Sequence, residues 1–505
     1  MNRTLLSSLW PPLLGGLVAL AAAILLRTVA DTRLLAEVAL DGMISVLPGK
    51  SFSELLGVLG PYGKALSFFS FLLAQLIVYV GAWLGLRRIA PPEAETARVS
   101  IAAGLVAAVV FLFSAAVIIT ATSASLGPNT GWAGFAFATL MLSGIYAGIA
   151  GLQSLGGAPT DNEYNPAADS RRRFLRQLPG FALGGLALVV LGRSLQQAAG
   201  GGVQKSRRGT PTPEVTANDE FYRVSKNYID PAPGSDGWQL QVDGYTEKAL
   251  KLSYEDMLAM PSQEQYTTMQ CISNEVGGEL MSNALWRGVP LKTVLNLAGI
   301  RPDAHWVFFR CEDDYTESIP LEFALRDQVM LAYQMNGEPL PKKHGFPVRL
   351  LSPGKYGIKH PKWIVEILLL PDERIGYWQQ QGWTREGQMN TTVRIDVPGG
   401  APQPPEPLVI QGVSFSGDRG ISRVEVSTDA GKSWQDATLK APLGLYTWVH
   451  WEYEWKDVEV GAAVLVARAT DGTGELQSEN VVEPYPDGAS GYHRVIARIE
   501  EPDHT

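Results

Sequence analysis

Four apolar runs in the first 155 residues constrain this chain more than any other feature. They are Leu5–Leu26, Ala65–Leu86, Ser100–Thr120 and Gly131–Leu152, and none contains a charged residue. Each is close to the roughly 20 residues that cross a bilayer as a helix. A helix that is apolar all round is buried in protein or faces lipid, so residues 1–155 are expected to form an all-α transmembrane bundle. Between the first two runs, Leu34–Leu47 carries Glu37 and Asp41 and reads as a short interfacial helix. Lys and Arg placement orients the bundle. Arg87, Arg88 and Arg98 follow the second run, and Arg171, Arg172, Arg173 and Arg176 follow the fourth. The positive-inside rule then puts the N-terminus and the end of the fourth run in the cytoplasm. Arg27, Arg33, Lys50 and Lys64 in the first loop weaken the asymmetry.

Residues 170–195 hold Ser170-Arg171-Arg172-Arg173-Phe174-Leu175-Arg176 and then the apolar run Leu178–Gly192. This segment looks like a twin-arginine export signal inside the chain. An ordinary fifth span with a positive flank accounts for the same residues. Both readings put the residues after Arg193 outside the cytoplasm, and Ala198-Ala199-Gly200 is a candidate cleavage site. The expected location is therefore a multi-pass cytoplasmic membrane protein with an extracytoplasmic domain. Residues 196–217, rich in Gly, Pro, Thr and basic side chains, read as a linker.

The net charge of −9 argues against nucleic acid as a partner. All six histidines lie beyond residue 300, so no apolar run supplies an axial haem ligand. Two cysteines are too few for an iron–sulfur cluster or a disulfide framework. Any electrons must come from a separate carrier, either a cytochrome or a quinone reached through the membrane part.

The soluble part centres on Thr268 to Leu291. Cys271 follows a polar, β-leaning run, and Asn274 and Gly277-Gly278 come next, so the thiol sits where a strand gives way to a loop. A thiolate there can be a nucleophile, half of a disulfide or a soft metal ligand. Further on, His344, Arg349, Lys355, Lys359 and Lys362 interleave with Gly354 and Gly357. Glycines admit backbone N–H groups to an anion and basic side chains neutralise it, which describes a phosphate cradle. A solvated basic loop is the plainer account. From Leu291 the chain reads as a short amphipathic helix ending at Gly299, and Trp306–Cys311 as a compact strand. Beyond the Pro-rich stretch Pro398 to Pro405, period-two alternation in Leu408–Val413, Ser422–Ser427, Trp448–Trp455 and Val464–Ala469 suggests an immunoglobulin-like β-sandwich over 398–505.

The stretch C-x-S-N-x-x-G-G followed by W-R-G-V-P-L resembles the segment of the sulfite oxidase superfamily whose single cysteine binds molybdenum in a pterin dithiolene complex. That superfamily includes sulfite oxidase, assimilatory nitrate reductase and the periplasmic methionine sulfoxide reductase catalytic subunit. The block from Leu331 to Ile364 resembles its pterin-phosphate segment, and the C-terminal part its dimerisation domain. The resemblance runs from about Asn218 to the C-terminus. It implies an α+β molybdopterin domain over 218–397, a molybdenum–molybdopterin cofactor, Cys271 as metal ligand and a homodimer. It assigns Asn227, Asn274, His344, Arg349, Gly357, Lys359 and Lys362 to the cofactor, and Lys226, Tyr356 and Arg419 to the reaction pocket. It leaves Cys311 as a buried free thiol. Lys226–Asn227 as a surface loop and Arg419 as an ordinary turn residue remain alternatives.

Three departures bear on the substrate. Glu275 and Val276 stand where sulfite oxidases carry anion-holding Arg residues, Lys226 replaces an Arg, and Trp383 replaces a pocket Tyr. The expectation is oxygen-atom transfer on a small substrate other than sulfite, with S- or N-oxide reduction favoured. Sulfite oxidation and a non-catalytic membrane-tethered binding module are the alternatives.

Overall fold

A computed structural model describes residues 12–24, 34–39, 63–90, 96–121, 131–154, 209–227, 230–398, 402–403 and 407–500. The chain divides into two compact units, Met1–Gly201 with Ser225–Ile229, and Gly202–Val224 with Asp230–Thr505.

The first unit is helical. Its described helices include Pro12–Ile24, Gly63–Ile89, Thr96–Ala121 and Gly131–Ser154. Small residues let them approach closely. A Cβ on Gly104 would lie 2.7 Å from the Ser143 carbonyl, and one on Gly15 would lie 2.8 Å from that of Tyr146. Tyr146 stacks on Tyr79 at 4.5 Å and donates to its carbonyl oxygen. Outward, Leu73, Ile77, Leu105, Val109 and Phe113 are exposed, as on helices that face an apolar medium. Two stretches, Ser70–Ile89 and Arg98–Ala116, are long and apolar enough to cross a membrane. Those at the expected first and fourth spans, Pro12–Ile24 and Ala138–Ala147, are shorter among the described residues. The twin-arginine-like segment and most of the expected interfacial helix lie outside the described residues.

Among the described residues the second unit holds four sheets. One runs in the order Leu250–Ser253, Gln239–Gly244, Ile364–Leu370, Trp306–Cys311 and Thr316–Pro320. Its inward residues Leu240, Val242, Val307, Phe309, Ile367 and Leu369 pack against the helix Leu291–Ala298. That helix buries Leu291, Val294, Leu295 and Ala298 and stops at Gly299 (φ 76°), as its periodicity requires. A second sheet pairs Gln263–Gln270 with Met281–Pro290 in an antiparallel hairpin from Gln263↔Gly288 to Gln270↔Met281. Cys271–Leu280 is the loop of that hairpin. The remaining two sheets belong to the C-terminal part and share one core, in which Val393, Ile410 and Trp451 meet Val424, Leu465 and Ile499.

The strand Thr392–Val397 pairs with Leu408–Phe415 and so belongs to the sandwich. The expected boundary at 398 therefore falls between two strands paired in one sheet.

Candidate active site

The hairpin delivers Cys271 to the end of a sheet and then holds it. Its N–H donates to Leu280 O at 2.9 Å, closing the ladder, and its carbonyl accepts from Asn274 N at 3.1 Å. Asn274 is buried, and its Oδ1 accepts from Leu280 N at 2.8 Å, so it braces the loop from inside. Cys271 Sγ lies 3.0 Å from Ser273 Oγ, a hydroxyl able to stabilise a thiolate. Neither cysteine is in a disulfide, and Cys311 is fully buried in the first sheet's core, as expected of an inert thiol.

Beside the loop lies a buried basic group. Arg349 starts a short strand, its Nη1 donating to His344 O (2.9 Å) and its Nη2 to His360 O (3.3 Å), with the guanidinium 5.2 Å over the Trp286 ring. Burial lowers it to about 10. Its Nε is buried with no partner, as are Ser352 Oγ and Gln270 Oε1. His344 sits 2.8 Å from Asn218 O, and His360 Nδ1 accepts from Ser352 N. Burial holds both imidazoles neutral, down to about 3. Among the described residues Lys362 has two long contacts, to Val224 O and Lys343 O at 3.5 Å, and lies 4.2 Å over Trp363. Burial brings it down to about 8. Gly357 has no room for a side chain, since a Cβ would lie 2.7 Å from Tyr222 Oη.

Two of the residues expected here have other work. Lys359 Nζ donates to Glu317 Oε1 (2.7 Å) and Ser318 O (3.1 Å) in a pair with side chains 4% and 0% exposed. Glu317 also accepts from Gln379 and Ser318 N, and burial still raises it. Its ammonium is thus paired within the protein. Arg419 Nε donates to Asp471 Oδ2 at 2.6 Å, and its Nη2 to Met389 O and Thr391 Oγ1. It joins the sandwich to the 389–391 segment. Lys226 and Asn227 belong to the first unit, where Lys226 Nζ donates to Asn227 Oδ1 at 3.2 Å.

Tyr356 is buried, and its hydroxyl accepts from Asn390 N at 3.1 Å. Burial raises it to about 12, so the phenol stays protonated and able to donate. It packs in one apolar cluster with Ile272, Trp383 and Met389, edged by Trp378 and Tyr485. Trp383 and Tyr485 meet edge to face at 5.2 Å. Sequence reading did not single out Tyr222, Glu317, His360 or Arg394. Tyr222 follows Phe221 at the start of the stretch that carries the family resemblance, and Arg394 and Asp396 stand two apart on one strand, which is a signal of a paired face.

The donor set fits a molybdopterin. Among the described residues no cluster of three or more His, Cys, Asp or Glu could hold a metal alone. A metal at Cys271 would need a cofactor's own donors, and Lys362 and the Arg349 Nε that is unpartnered among the described residues suit its phosphate.

The comparisons agree. A family model described as an oxidoreductase molybdopterin binding domain matches residues 228–378, and one described as a Mo-co oxidoreductase dimerisation domain matches 390–496. Sulfite oxidase of Gallus gallus is 31% identical over 321 residues, covering 53% of this chain and 69% of that protein. Mitochondrial sulfite oxidase of Rattus norvegicus is 30% identical, covering 55% of this chain and 61% of that protein. The sulfane dehydrogenase SoxCD of Paracoccus pantotrophus superposes with a TM-score of 0.51 at 25% identity, covering 56% of this chain and 81% of that chain. The chain belongs to the sulfite oxidase superfamily of molybdenum cofactor-dependent oxidoreductases.

Proposed function

We propose that this chain is a membrane-anchored oxidoreductase that reduces a small, uncharged S- or N-oxide. The observation that carries the reading is the pocket's charge. Lys359 is paired with Glu317 and Arg419 with Asp471, Arg349 is given to the phosphate, and Glu275 and Val276 follow Asn274. A dianion there would meet no pair of uncommitted guanidinium groups. An apolar S-oxide would meet Ile272, Trp383 and Tyr485, with Tyr356 donating to its oxygen. The molybdenum cofactor, when bound, supplies the two-electron oxygen-atom transfer. Reduction takes two electrons and two protons and releases the deoxygenated product and water. Cys271 anchors the metal, Arg349 and Lys362 hold the phosphate, and the aromatic wall excludes water.

The helices Ser70–Ile89 and Arg98–Ala116 support anchoring, and the Arg placement supports a catalytic unit on the extracytoplasmic side of the cytoplasmic membrane. The carrier is a cytochrome or a quinone, and the dimerisation-domain match supports a homodimer with an immunoglobulin-like sandwich. Sulfite oxidation is the second reading, favoured by the names of the relatives. Steady-state kinetics separate the two. Reduced viologen with dimethyl sulfoxide or trimethylamine N-oxide should turn over, and sulfite with ferricyanide should not. The reverse pattern would replace this function with sulfite oxidation.

A further inference from the structure

The strand Thr392–Val397 places Arg394 and Asp396 on one face. Their side chains are 8% and 5% exposed and pair at 2.6 Å. Arg394 uses each of its three nitrogens. Nε donates to Asp396 Oδ1, Nη2 donates to Thr212 Oγ1 (2.6 Å), and Nη1 donates to Gly278 O (3.0 Å). Gly278 lies in the Cys271–Leu280 loop, so a side chain of the sandwich reaches across and grips the loop that carries the thiol. The neighbouring contact is steric. Gly277 (φ +71°) lies against the His493 ring, leaving no space for a Cβ, and His493 Nδ1 accepts from Ile395 N at 2.9 Å.

The third arm of the clamp comes from the strap 209–216, the described end of the stretch that reads as a linker in the sequence. Thr212 Oγ1 donates to Asp396 Oδ2 at 2.7 Å, and Gly209 N donates to Asp396 O at 2.8 Å. Glu214 O accepts from Asn283 Nδ2 (2.7 Å) on the strand after the loop and from Trp448 Nε1 (3.1 Å) in the sandwich. The strap, the sandwich and the loop thus meet at one guanidinium. Lys carries its three donors on a single nitrogen, so it cannot span the three separate acceptors that the guanidinium fork reaches.

We propose that Arg394, held by Thr212 and Asp396, is a positioning residue that sets where Cys271 presents its thiolate to the metal. The inference rests on Cys271 being the metal ligand. Removing the clamp leaves Gly278 O without its donor and frees the loop to shift. Groups that orient a ligand in this way change metal affinity or activity by about 10–100-fold.

The test compares full-length holoprotein of wild type, Arg394→Lys and Thr212→Val. The readouts are thiolate-to-molybdenum absorption, the Mo(V) electron paramagnetic resonance signal, molybdenum per chain and thermal midpoint. Arg394→Lys should shift the absorption band and the resonance, and lower molybdenum retention about tenfold. Thr212→Val, which keeps volume but loses the hydroxyl, should move the same signals in the same direction by less. A lowered midpoint with both spectra and metal content as in wild type would make Arg394 a domain joint only and overturn the proposal. If Arg394→Lys does not fold, Thr212→Val decides, and unchanged spectra there overturn it. A wild type without the band would overturn the proposal together with the ligand assignment, and would do so before any substitution is made.

Discussion

Replacing Lys359 by Met tests whether the buried cation of the Gly357–Lys359 turn serves the fold or the cofactor. Lys359 and Glu317 are essentially dry, and their 2.7 Å contact is supported by Ser318 N, Ser318 O and Gln379. Removing one partner of such a pair leaves an uncompensated buried charge and costs about 3–5 kcal/mol. For a unit of this size that is a fall in Tm of roughly 10 °C. The orphaned carboxylate can relieve the cost by taking a proton. Burial already raises Glu317, against the opposing effect of Lys359, so loss of Lys359 raises it further. A carboxylate raised in the folded state destabilises above its folded value and not below the unfolded value of about 4.3. The Tm deficit of Lys359→Met should therefore be largest at alkaline pH and shrink as pH falls. Adding Glu317→Gln should recover about 1–3 kcal/mol, the coupling of a contacting pair. The assay is thermal unfolding of the four full-length holoproteins from pH 5 to 9, with pterin content measured on the same samples. A Lys359→Met protein as stable as wild type but purified without pterin would refute the reasoning and return Lys359 to the cofactor.

The other expectations concern the site directly. Lys362→Met should lower cofactor retention, and in the cofactor-free wild type the affinity for inorganic pyrophosphate should be full below about pH 8 and fall by up to about tenfold per unit above it, as Lys362 loses its proton; a flat titration calorimetry profile would remove Lys362 from the anion site. His344 and His360 are held neutral, so stability should be full above about pH 6.5 and decline towards about 3 as the unfolded chain takes up protons the folded chain refuses; a urea midpoint that stays level between about pH 6.5 and 5 would contradict this. Tyr356→Phe removes a donor that stays protonated and should lower kcat for an S-oxide by about 10²-fold with little change in KM; an equal loss of binding would instead assign Tyr356 to packing.

How much of this was legible in the sequence depends on the kind of signal. The β-leaning run before Cys271, the Gly299 helix stop and the period-two strands of the C-terminal part are local patterns, and they stand where spacing put them. Cys271 and the Arg349 region stand out in the sequence because a motif keeps their residue types together in the chain. The ion pairs of Lys359 and Arg419 were not legible there: their partners, Glu317 and Asp471, lie 42 and 52 residues away, and no local pattern shows that a cation is already paired. The pairing of Thr392–Val397 with Leu408–Phe415 across the expected boundary at 398 was not legible either, because a Pro-rich stretch marks a break in a strand but not the sheet that the flanking strands join. Arg394 escaped notice because its target is a backbone carbonyl 116 residues earlier, which has no sequence signature.

The central claim is a Cys271 thiolate on molybdenum beside an uncharged pocket. The most direct test is the visible absorption spectrum of the purified, oxidised full-length protein, recorded before and after anaerobic sulfite. A thiolate-to-molybdenum band that is absent from Cys271→Ser, persists with sulfite, and returns when dithionite-reduced protein meets dimethyl sulfoxide is the predicted result. A band that bleaches with sulfite would contradict the substrate assignment, and a protein with neither band nor molybdenum would contradict the role of Cys271.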